Sequence, residues 1–251
     1  MNLIVKGLDV VVKDEGDGPV VLLLHGWQSD LTAFEGLTQK LKENYRVIRP
    51  NLPGFGGSQV PSSDWGVSDY SDFIAEYFEK LKVPSPAVII GHSMGGRIAM
   101  HGLAHNVFTA PKLVLIGSAG VPQSKSARSL GFLALAKIGK VVSIVLPGSI
   151  KQKLRSKLYG AAGSTDYLNA GELKQIFSNM INEDARKYAY KIKADTLLIY
   201  GKEDREAPPE FGKTFDRIIP NTTLEIIPNA GHFVHRDQAA LVERKIQDFI
   251  K

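Results

Sequence analysis

The sequence contains no cysteine among its 251 residues. Disulfide bonds, thiolate metal sites and cysteine nucleophiles are therefore excluded. It also lacks an apolar run near the roughly 18 residues that a membrane-spanning helix needs. The first residues show no basic segment followed by a long apolar stretch, so no secretory signal peptide is predicted. These absences lead us to expect a cytoplasmic protein.

Signatures of bound cofactors are missing as well. No group of His, Asp and Glu has the spacing of a metal site. Gly54, Gly56 and Gly57 lack the lysine of a P-loop and the helix-opening frame of a dinucleotide site, so a tight loop is favoured. The lysines form no recognition motif, and we expect no nucleic-acid partner. We therefore expect neither a metal nor another cofactor.

The basic residues are unevenly distributed along an otherwise ordinary globular composition. The chain is 43% apolar and 23% charged, and its net charge of +5 arises within residues 121–184. An asymmetry confined to one segment marks that segment as a separate unit. The segment is also helix-like and free of convincing strands. We predict a core formed by residues 1–120 and 185–251, with an insertion at 121–184.

Outside the insertion, short apolar runs alternate with segments of helical periodicity. This alternation indicates an α/β protein with a mostly parallel sheet covered on both faces. Such sheets bind ligands at the carboxyl ends of their strands. The predicted strands lie at 3–13 (two short strands), 20–24, 45–49, 87–90, 113–116, 196–200 and 223–227, and the predicted helices at 31–42, 70–81, 96–104, 209–218 and from about 233 to 251.

The most informative stretch is Gly91-His92-Ser93-Met94-Gly95, which joins a predicted strand to a predicted helix. It has the G-x-S-x-G pattern of a nucleophile elbow. The tight turn pushes the hydroxyl of Ser93 clear of the backbone, at the positive end of a helix. The alternative is a glycine-rich turn that merely connects two elements. A base, an acid and an oxyanion hole elsewhere in the chain would favour the elbow.

The base for Ser93 must come from one of six histidines. His232 follows the last predicted strand, behind Ala230 and Gly231, which gives it access to the strand ends. His235 is the competing candidate. His25 is expected to bond to loop backbone, and His92 to point away from the serine. His101 and His105 are expected to be surface or packing residues.

Asp204 is the acid that we expect to orient the imidazole, because it follows a predicted strand and a glycine. Glu203 and Glu206 lie close enough to be alternatives. The order Ser93, Asp204, His232 is the order found in α/β-hydrolases, and it differs from the chymotrypsin and subtilisin orders.

An oxyanion hole requires two backbone N–H groups near the attacked carbonyl. We expect one from Met94, directly after the candidate nucleophile, and the other from Trp27. The Trp27 ring either lines an acyl pocket or packs beneath the inserted segment. Arg97, on the helix after the elbow, is interpreted as a structural ion-pair partner, with contact to a substrate carboxylate as the alternative.

These motifs together resemble an α/β-hydrolase of the esterase/lipase-like superfamily. The resemblance implies the α/β-hydrolase fold, and it implies that the insertion at 121–184 is a helical cap. Asn51 departs from the family pattern, because many relatives have aspartate at that point. The resembling motifs are HGW at 25–27, PGFGGS at 53–58, GHSMGG at 91–96, GKED at 201–204 and AGH at 230–232.

The function predicted from the motifs and the resemblance is hydrolysis of carboxylic esters through an acyl-enzyme intermediate, with Ser93, Asp204 and His232 as a catalytic triad. The expected partner is a small-molecule ester with an apolar acyl group. One alternative is a carbon–carbon bond hydrolase that cleaves vinylogous diketones with the same triad. Another is a ligand-binding receptor that retains a slow hydrolase site. Dehalogenases and epoxide hydrolases are disfavoured, because they use an aspartate nucleophile.

The predicted cap combines apolar runs at 132–136 and 141–146 with many basic residues. The favoured interpretation is that its helices pack an apolar face over the site and expose a solvated basic face. The alternative is that the basic face attracts anionic substrates or a membrane surface.

Overall fold

The computed structural model describes residues 1–62, 64–83, 85–122 and 170–251. The chain consists of two compact units, Met1–Val121 with Glu183–Lys251, and Pro122–Asn182. The second unit begins and ends close to the predicted insertion, and its role as a cap stays a prediction. Most of it, including the apolar runs at 132–136 and 141–146, lies outside the described residues.

The first unit holds an eight-stranded sheet among the described residues. Its strands are β1 (Asn2–Val5), β2 (Leu8–Glu15), β3 (Val20–Leu24), β4 (Arg46–Pro50), β5 (Val88–His92), β6 (Lys112–Ile116), β7 (Asp195–Gly201) and β8 (Thr222–Ile227). Their order across the sheet is β1-β2-β4-β3-β5-β6-β7-β8. The pairs β1–β2 and β2–β4 are antiparallel, and the remaining neighbours are parallel. The predicted mostly parallel α/β sheet is confirmed.

Helices of the first unit cover both faces of this sheet, so its central strands are buried. Every residue of β5 is buried, as are the last four residues of β3 and of β6. Strands buried on both faces have continuous apolar sequences instead of an alternating pattern. The helices are α1 (Glu35–Leu41), α2 (Val67–Leu81), α3 (Met94–Ala104), α4 (Lys174–Asn182, in the second unit), α5 (Pro209–Ile218), α6 (Val234–Asp237) and α7 (Ala239–Ile250).

Helix α2 illustrates how local sequence sets an element's bounds. Its first turn is capped because the Asp69 carboxylate accepts a hydrogen bond from the Gly66 N–H at 2.8 Å. Its apolar residues, such as Phe73 and Tyr77, recur at helical spacing and are fully buried. The helix ends at Lys82, which adopts a left-handed conformation with φ of 54°.

The predicted helix at 31–42 is two elements in the structure. A 3₁₀ turn spans Leu31–Phe34, and α1 follows it. The cause is non-local, because side chains from the next strand hold both backbone groups of Leu31. Its N–H donates to Asn51 Oδ1 at 2.6 Å, and its carbonyl accepts from Arg49 Nη1 at 3.0 Å.

The predicted C-terminal helix is also divided, into α6 and α7. Gln238 between them leaves the helical region, with φ of −129° and ψ of 47°. Its side-chain amide donates to the carbonyl of Asn229 at 3.1 Å, and Asp237 Oδ2 accepts from the Gly231 N–H at 2.8 Å. The residues at the break between α6 and α7 are therefore hydrogen-bonded to the loop that carries His232.

The parallel strands end at the same edge of the sheet. In the strand pairing, Leu24 faces Gly91, His92 faces Ile116, and Gly201 faces Ile227. The segments that follow β3, β5, β7 and β8 contain the HGW motif, the elbow, Asp204 and His232 respectively. None of the helices in the described part of the chain has the length and apolar character needed to cross a membrane.

Candidate active site

Ser93 lies at the apex of the turn between β5 and α3. Its backbone has φ of 49° and ψ of −109°, a region that non-glycine residues seldom adopt. The turn is held from the core, because the Ser93 N–H donates to the Ile116 carbonyl at 3.0 Å. It is also very close to β3: a Cβ on Gly95 would lie 2.1 Å from the Leu24 carbonyl oxygen. Only glycine fits there, which explains the second glycine of the motif.

The imidazole of His232 is hydrogen-bonded to a buried carboxylate. His232 Nδ1 lies 2.8 Å from Asp204 Oδ2, and the Asp204 side chain has no exposed surface. The other oxygen of Asp204 accepts from the N–H groups of Glu206 and Ala207, at 2.8 and 2.9 Å. Because a carboxylate only accepts, the hydrogen lies on Nδ1 and the lone pair on Nε2. The ring is thereby prepared to take up a proton at Nε2.

Gly117 links the serine turn to this pair. Its N–H donates to the Ile199 carbonyl, and the preceding residue, Ile116, accepts the Ser93 N–H. A Cβ on Gly117, whose φ is 49°, would lie 3.4 Å from both His232 Nδ1 and Asp204 Oδ2. The strand end that holds Ser93 therefore also contacts the Asp204–His232 pair.

His92 makes a second link between the elbow and the candidate base. Its Nε2 lies 3.0 Å from the His232 carbonyl oxygen, so Nε2 carries the hydrogen and donates it. Burial lowers the pKa of His92 well below its ordinary value, which keeps the ring neutral. His92 was expected to point away from the serine. In the structure its Nε2 points to the main-chain carbonyl of His232.

The HGW segment borders the serine on its other side. A Cβ on Gly26 would lie 3.3 Å from Ser93 Cβ. His25 holds this segment, because its Nδ1 donates to the Gly26 carbonyl at 2.8 Å and its Nε2 accepts the Leu52 N–H at 2.9 Å. Burial lowers the pKa of His25 to about 4, so this ring is neutral. His25 thus bonds to loop backbone, as the sequence predicted.

The two backbone N–H groups expected to form an oxyanion hole lie in these two segments. Met94 is the first residue of α3, so its N–H has no acceptor within the helix. Trp27 directly follows Gly26 beside the serine. The Trp27 ring packs edge-on against Phe55, with centroids 4.9 Å apart. The participation of both N–H groups stays a prediction.

The competing base, His235, lies in an apolar environment. It is 8% exposed, and its ring packs 5.1 Å from Phe34 and 4.7 Å from His92. Neither of its ring nitrogens has a hydrogen-bond partner within the described ranges. Burial lowers its pKa to about 3. Nothing in this arrangement orients His235 toward Ser93 or supplies it with an acid.

The remaining histidines lie along α3, away from its first turn. His101 Nδ1 lies 2.9 Å from Ser71 Oγ, and His105 Nδ1 lies 3.0 Å from the His101 carbonyl. Within the described residues, His232 is the one histidine within ion-pair distance of a carboxylate.

The alternative acids have other contacts. Glu203 Oε2 accepts the Ala230 N–H at 2.9 Å and so holds the loop before His232. Glu206 Oε2 lies 3.5 Å from Nε2 of His232, on the side of the ring opposite to Asp204. Sequence reasoning considered Glu206 only as a substitute for Asp204, because side-chain direction cannot be read from spacing in a loop.

Two further residues make contacts that the sequence interpretation did not include. Arg97 is buried, and its Nη1 donates to the main-chain carbonyl of Glu183 at 3.4 Å instead of to a carboxylate. Asn51 bonds the Leu31 N–H through Oδ1 and the Gly56 carbonyl through Nδ2. An aspartate could not donate that second bond. This loop contact is therefore made by the residue at which the sequence departs from the family pattern.

A search for metal ligands gives no candidate site, since no group of three or more His, Asp or Glu in the described residues is placed to hold an ion.

Known proteins are similar in sequence to this chain over nearly its whole length. A model described as "Alpha/beta hydrolase family" matches residues 21–244. The chain is 27% identical over 265 residues to the AB hydrolase superfamily protein YisY of Bacillus subtilis, covering 95% of this chain and 94% of that protein. It is 28% identical over 251 residues to the pimeloyl-(acyl-carrier protein) methyl ester esterase of Chromobacterium violaceum, covering 92% and 91%.

A solved structure shares the fold at low identity. An esterase (EaEST) from Exiguobacterium antarcticum superposes with a TM-score of 0.77 and 24% sequence identity, over 99% of this chain and 98% of that one.

Proposed function

Because the chain belongs to the alpha/beta hydrolase family, we propose that it is a serine hydrolase that cleaves carboxylic esters through an acyl-enzyme intermediate. The family match and the shared fold confirm the family resemblance and the fold class that the motifs predict. One observation carries the proposal: the 2.8 Å bond between His232 Nδ1 and the buried carboxylate of Asp204, beside the strained turn of Ser93.

In the first step, His232 Nε2 takes the proton of Ser93 Oγ while Oγ bonds to the carbonyl carbon of the ester. Asp204 stabilises the imidazolium that forms. It has no exposed side-chain surface and accepts three hydrogen bonds, so it is held in place before the reaction begins. Little reorganisation is then needed as charge develops on the ring.

The negative charge on the carbonyl oxygen is bound by the N–H groups of Met94 and Trp27. The proposal is supported by their positions, at the first residue of α3 and directly after Gly26, on two segments that border Ser93. A donor of this kind typically contributes a factor of about 10² to 10³ in kcat.

The imidazolium then gives its proton to the alcohol oxygen as the bond from that oxygen to the acyl carbon breaks, and the alcohol leaves the acyl-enzyme. His232 then removes a proton from water, whose oxygen attacks the acyl carbon. Collapse of that intermediate releases the acid and returns the proton to Ser93 Oγ. Every proton passes through Nε2, and the steps require no cofactor.

The ester class is supported by the relatives as well as by the geometry. One relative is described as a methyl ester esterase, and a structure of the same fold is described as an esterase. We propose a small-molecule ester with an apolar acyl group as the substrate. We also propose that residues 121–184 form a helical cap and that the protein is cytoplasmic.

The test is hydrolysis of p-nitrophenyl esters from acetyl to dodecanoyl by the wild type and by Ser93→Ala. We expect Ser93→Ala to lose at least about 10³-fold in kcat, because it removes the nucleophile. Ser68→Ala, an exposed serine on α2, is the matched control and should retain full activity. The chain length with the highest kcat/KM measures the acyl pocket.

Labelling with a fluorophosphonate separates failure of the substrate from failure of the nucleophile. If the probe labels the wild type and not Ser93→Ala, but no ester is hydrolysed, the carbon–carbon hydrolase and receptor alternatives would be favoured. A wild type that neither labels nor turns over would contradict the serine hydrolase itself.

A further inference from the structure

Two carboxylates contact the ring of His232, one at each nitrogen. Asp204 Oδ2 lies 2.8 Å from Nδ1, and Glu206 Oε2 lies 3.5 Å from Nε2. The first has no exposed side-chain surface, whereas the second is 64% exposed. Asp204 serves as the orienting acid of the proposed triad. That triad gives Glu206 no role.

The backbone of Glu206 is fixed relative to Asp204. The N–H groups of Glu206 and Ala207 both donate to Asp204 Oδ1, at 2.8 and 2.9 Å. Pro208 follows with φ of −61°, and Pro209 is the first residue of α5. Two successive prolines leave few backbone conformations available. The backbone that carries Glu206 is therefore held near His232 by a rigid turn, and its carboxylate reaches the ring from there.

Glu206 Oε2 contacts the nitrogen that carries the proton in the proposed mechanism. Nε2 hands its proton to the departing alkoxide, so the alcohol portion of the ester must lie within hydrogen-bond distance of it. A group on that alcohol a few ångströms from the ester oxygen would then lie close to the carboxylate of Glu206. A negative charge there attracts a cationic alcohol and repels an anionic one.

We propose that Glu206 is a specificity-determining residue of this site and favours esters whose alcohol portion carries a positive charge. This inference rests on the proposed esterase function and goes beyond it by naming the charge of the leaving group. The same negative charge, 3.5 Å from Nε2, also stabilises the protonated ring of His232.

Several charged and titratable groups of the described residues lie around the His232 ring that Glu206 contacts. Asp204 faces the opposite nitrogen, and its bonds do not involve the Glu206 side chain. His92, from β5, and His235, from α6, have pKa values lowered by burial and are neutral. Among the described residues, Arg236, also on α6, is a nearby cation, since its charge contributes to the lowered pKa values of both of those histidines.

The first experiment compares two esters of one acid, the acid found best with the nitrophenyl series. One ester is that of choline, and the other is that of 3,3-dimethylbutanol, a neutral alcohol of the same shape. For the wild type we expect kcat/KM to favour the choline ester by about threefold, since the carboxylate is largely exposed. The preference should diminish at high salt, which screens exposed charges.

Glu206→Gln keeps the size of the side chain and removes its charge, so it should abolish the choline preference. Glu210→Gln is the matched control: it removes an exposed carboxylate in the first turn of α5, which pairs with Lys213 instead of His232. It should retain the preference. An equal preference in the wild type and in Glu206→Gln overturns the proposal, as does a wild type without a preference.

The second experiment needs no turnover. In ¹⁵N-labelled Ser93→Ala protein, the imidazole signals of His232 are assigned by comparison with His232→Gln and followed against pH by NMR. Adding Glu206→Gln should lower the midpoint of His232 protonation by about half a pH unit. An unchanged midpoint overturns the inference. If the midpoint moves but no ester is hydrolysed in a Ser93-dependent manner, the esterase function and its leaving-group preference are contradicted. The contact between Glu206 and His232 would still be supported.

Discussion

Replacement of His235 by phenylalanine should make the protein less sensitive to mild acid. His235 is 8% exposed, and its two nitrogens have no hydrogen-bond partner among the described residues. Burial lowers its pKa from 6.5 to about 3, with smaller contributions from the positive charges of Arg236 and His232. The ring is therefore neutral in the folded protein throughout the range in which it becomes charged in the unfolded chain.

The sign of the effect follows from proton binding. Below pH 6.5 the unfolded chain binds a proton at this position, and the folded protein does not. Stability is therefore lost as the pH falls below 6.5, and the loss continues down toward pH 3. For a pKa of 6.5 in the unfolded chain and about 3 in the folded protein, the free energy of unfolding falls by about 2 kcal/mol between pH 7 and pH 5.

Phenylalanine cannot take up this proton, so His235→Phe should lose about 2 kcal/mol less than the wild type between these two pH values. Phenylalanine is larger than histidine, and any packing cost against Phe34 or His92 applies at both pH values and cancels in the difference. His25 and His92 also have lowered pKa values, and they act alike in both proteins.

Urea unfolding at pH 5 and pH 7 measures the difference directly. His105→Phe, a change at an exposed histidine directly after α3, is the control for the loss of one imidazole and should follow the wild type. If the wild type and His235→Phe lose the same free energy from pH 7 to pH 5, His235 is not a neutral buried ring, and the reasoning is refuted.

Two further changes test the acid and the elbow. Asp204→Asn should lower kcat/KM by about 10³ to 10⁴, because an amide cannot hold the Nδ1–H tautomer of His232; activity within tenfold of the wild type, measured on the best nitrophenyl ester, would contradict a triad. Gly95→Ala should lower the free energy of unfolding by about 3 kcal/mol or more, because its Cβ would meet the Leu24 carbonyl oxygen at 2.1 Å, a backbone contact with no room to move. Gly36→Ala, in α1, meets only the flexible end of a side chain at 3.3 Å and should be neutral or stabilising in the same urea assay; equal losses in the two variants would remove the packing explanation of the motif.

The sheet could be predicted because its information is local. Each buried strand is a short apolar run, and the pairing of neighbouring parallel strands brings their ends to one edge without further information. The start of the helix predicted at 31–42 could not be found in this way, because Leu31 is held by Arg49 and Asn51 from the next strand. The spacing of apolar residues within one segment gives no information about its contacts with other segments.

The residues of the candidate site were identifiable by type and order, and their partners were not. His232 and Asp204 each follow a strand, and the structure brings them within 2.8 Å. The directions of His92 and Glu206 depend on where neighbouring segments pass. One contacts the backbone of His232, and the other contacts its ring.

The resulting site depends on strand ends more than on its loops. The Ser93 N–H is bonded to the end of β6, the next residue of that segment, Gly117, is bonded to β7, and His92 at the end of β5 donates to the carbonyl of His232. Ser93 is therefore tied to β6 by a backbone hydrogen bond, and the backbone of His232 is tied to β5 through the ring of His92. Because the buried strands cannot shift without disturbing a close-packed core, the strained backbone of Ser93 is maintained by the sheet itself.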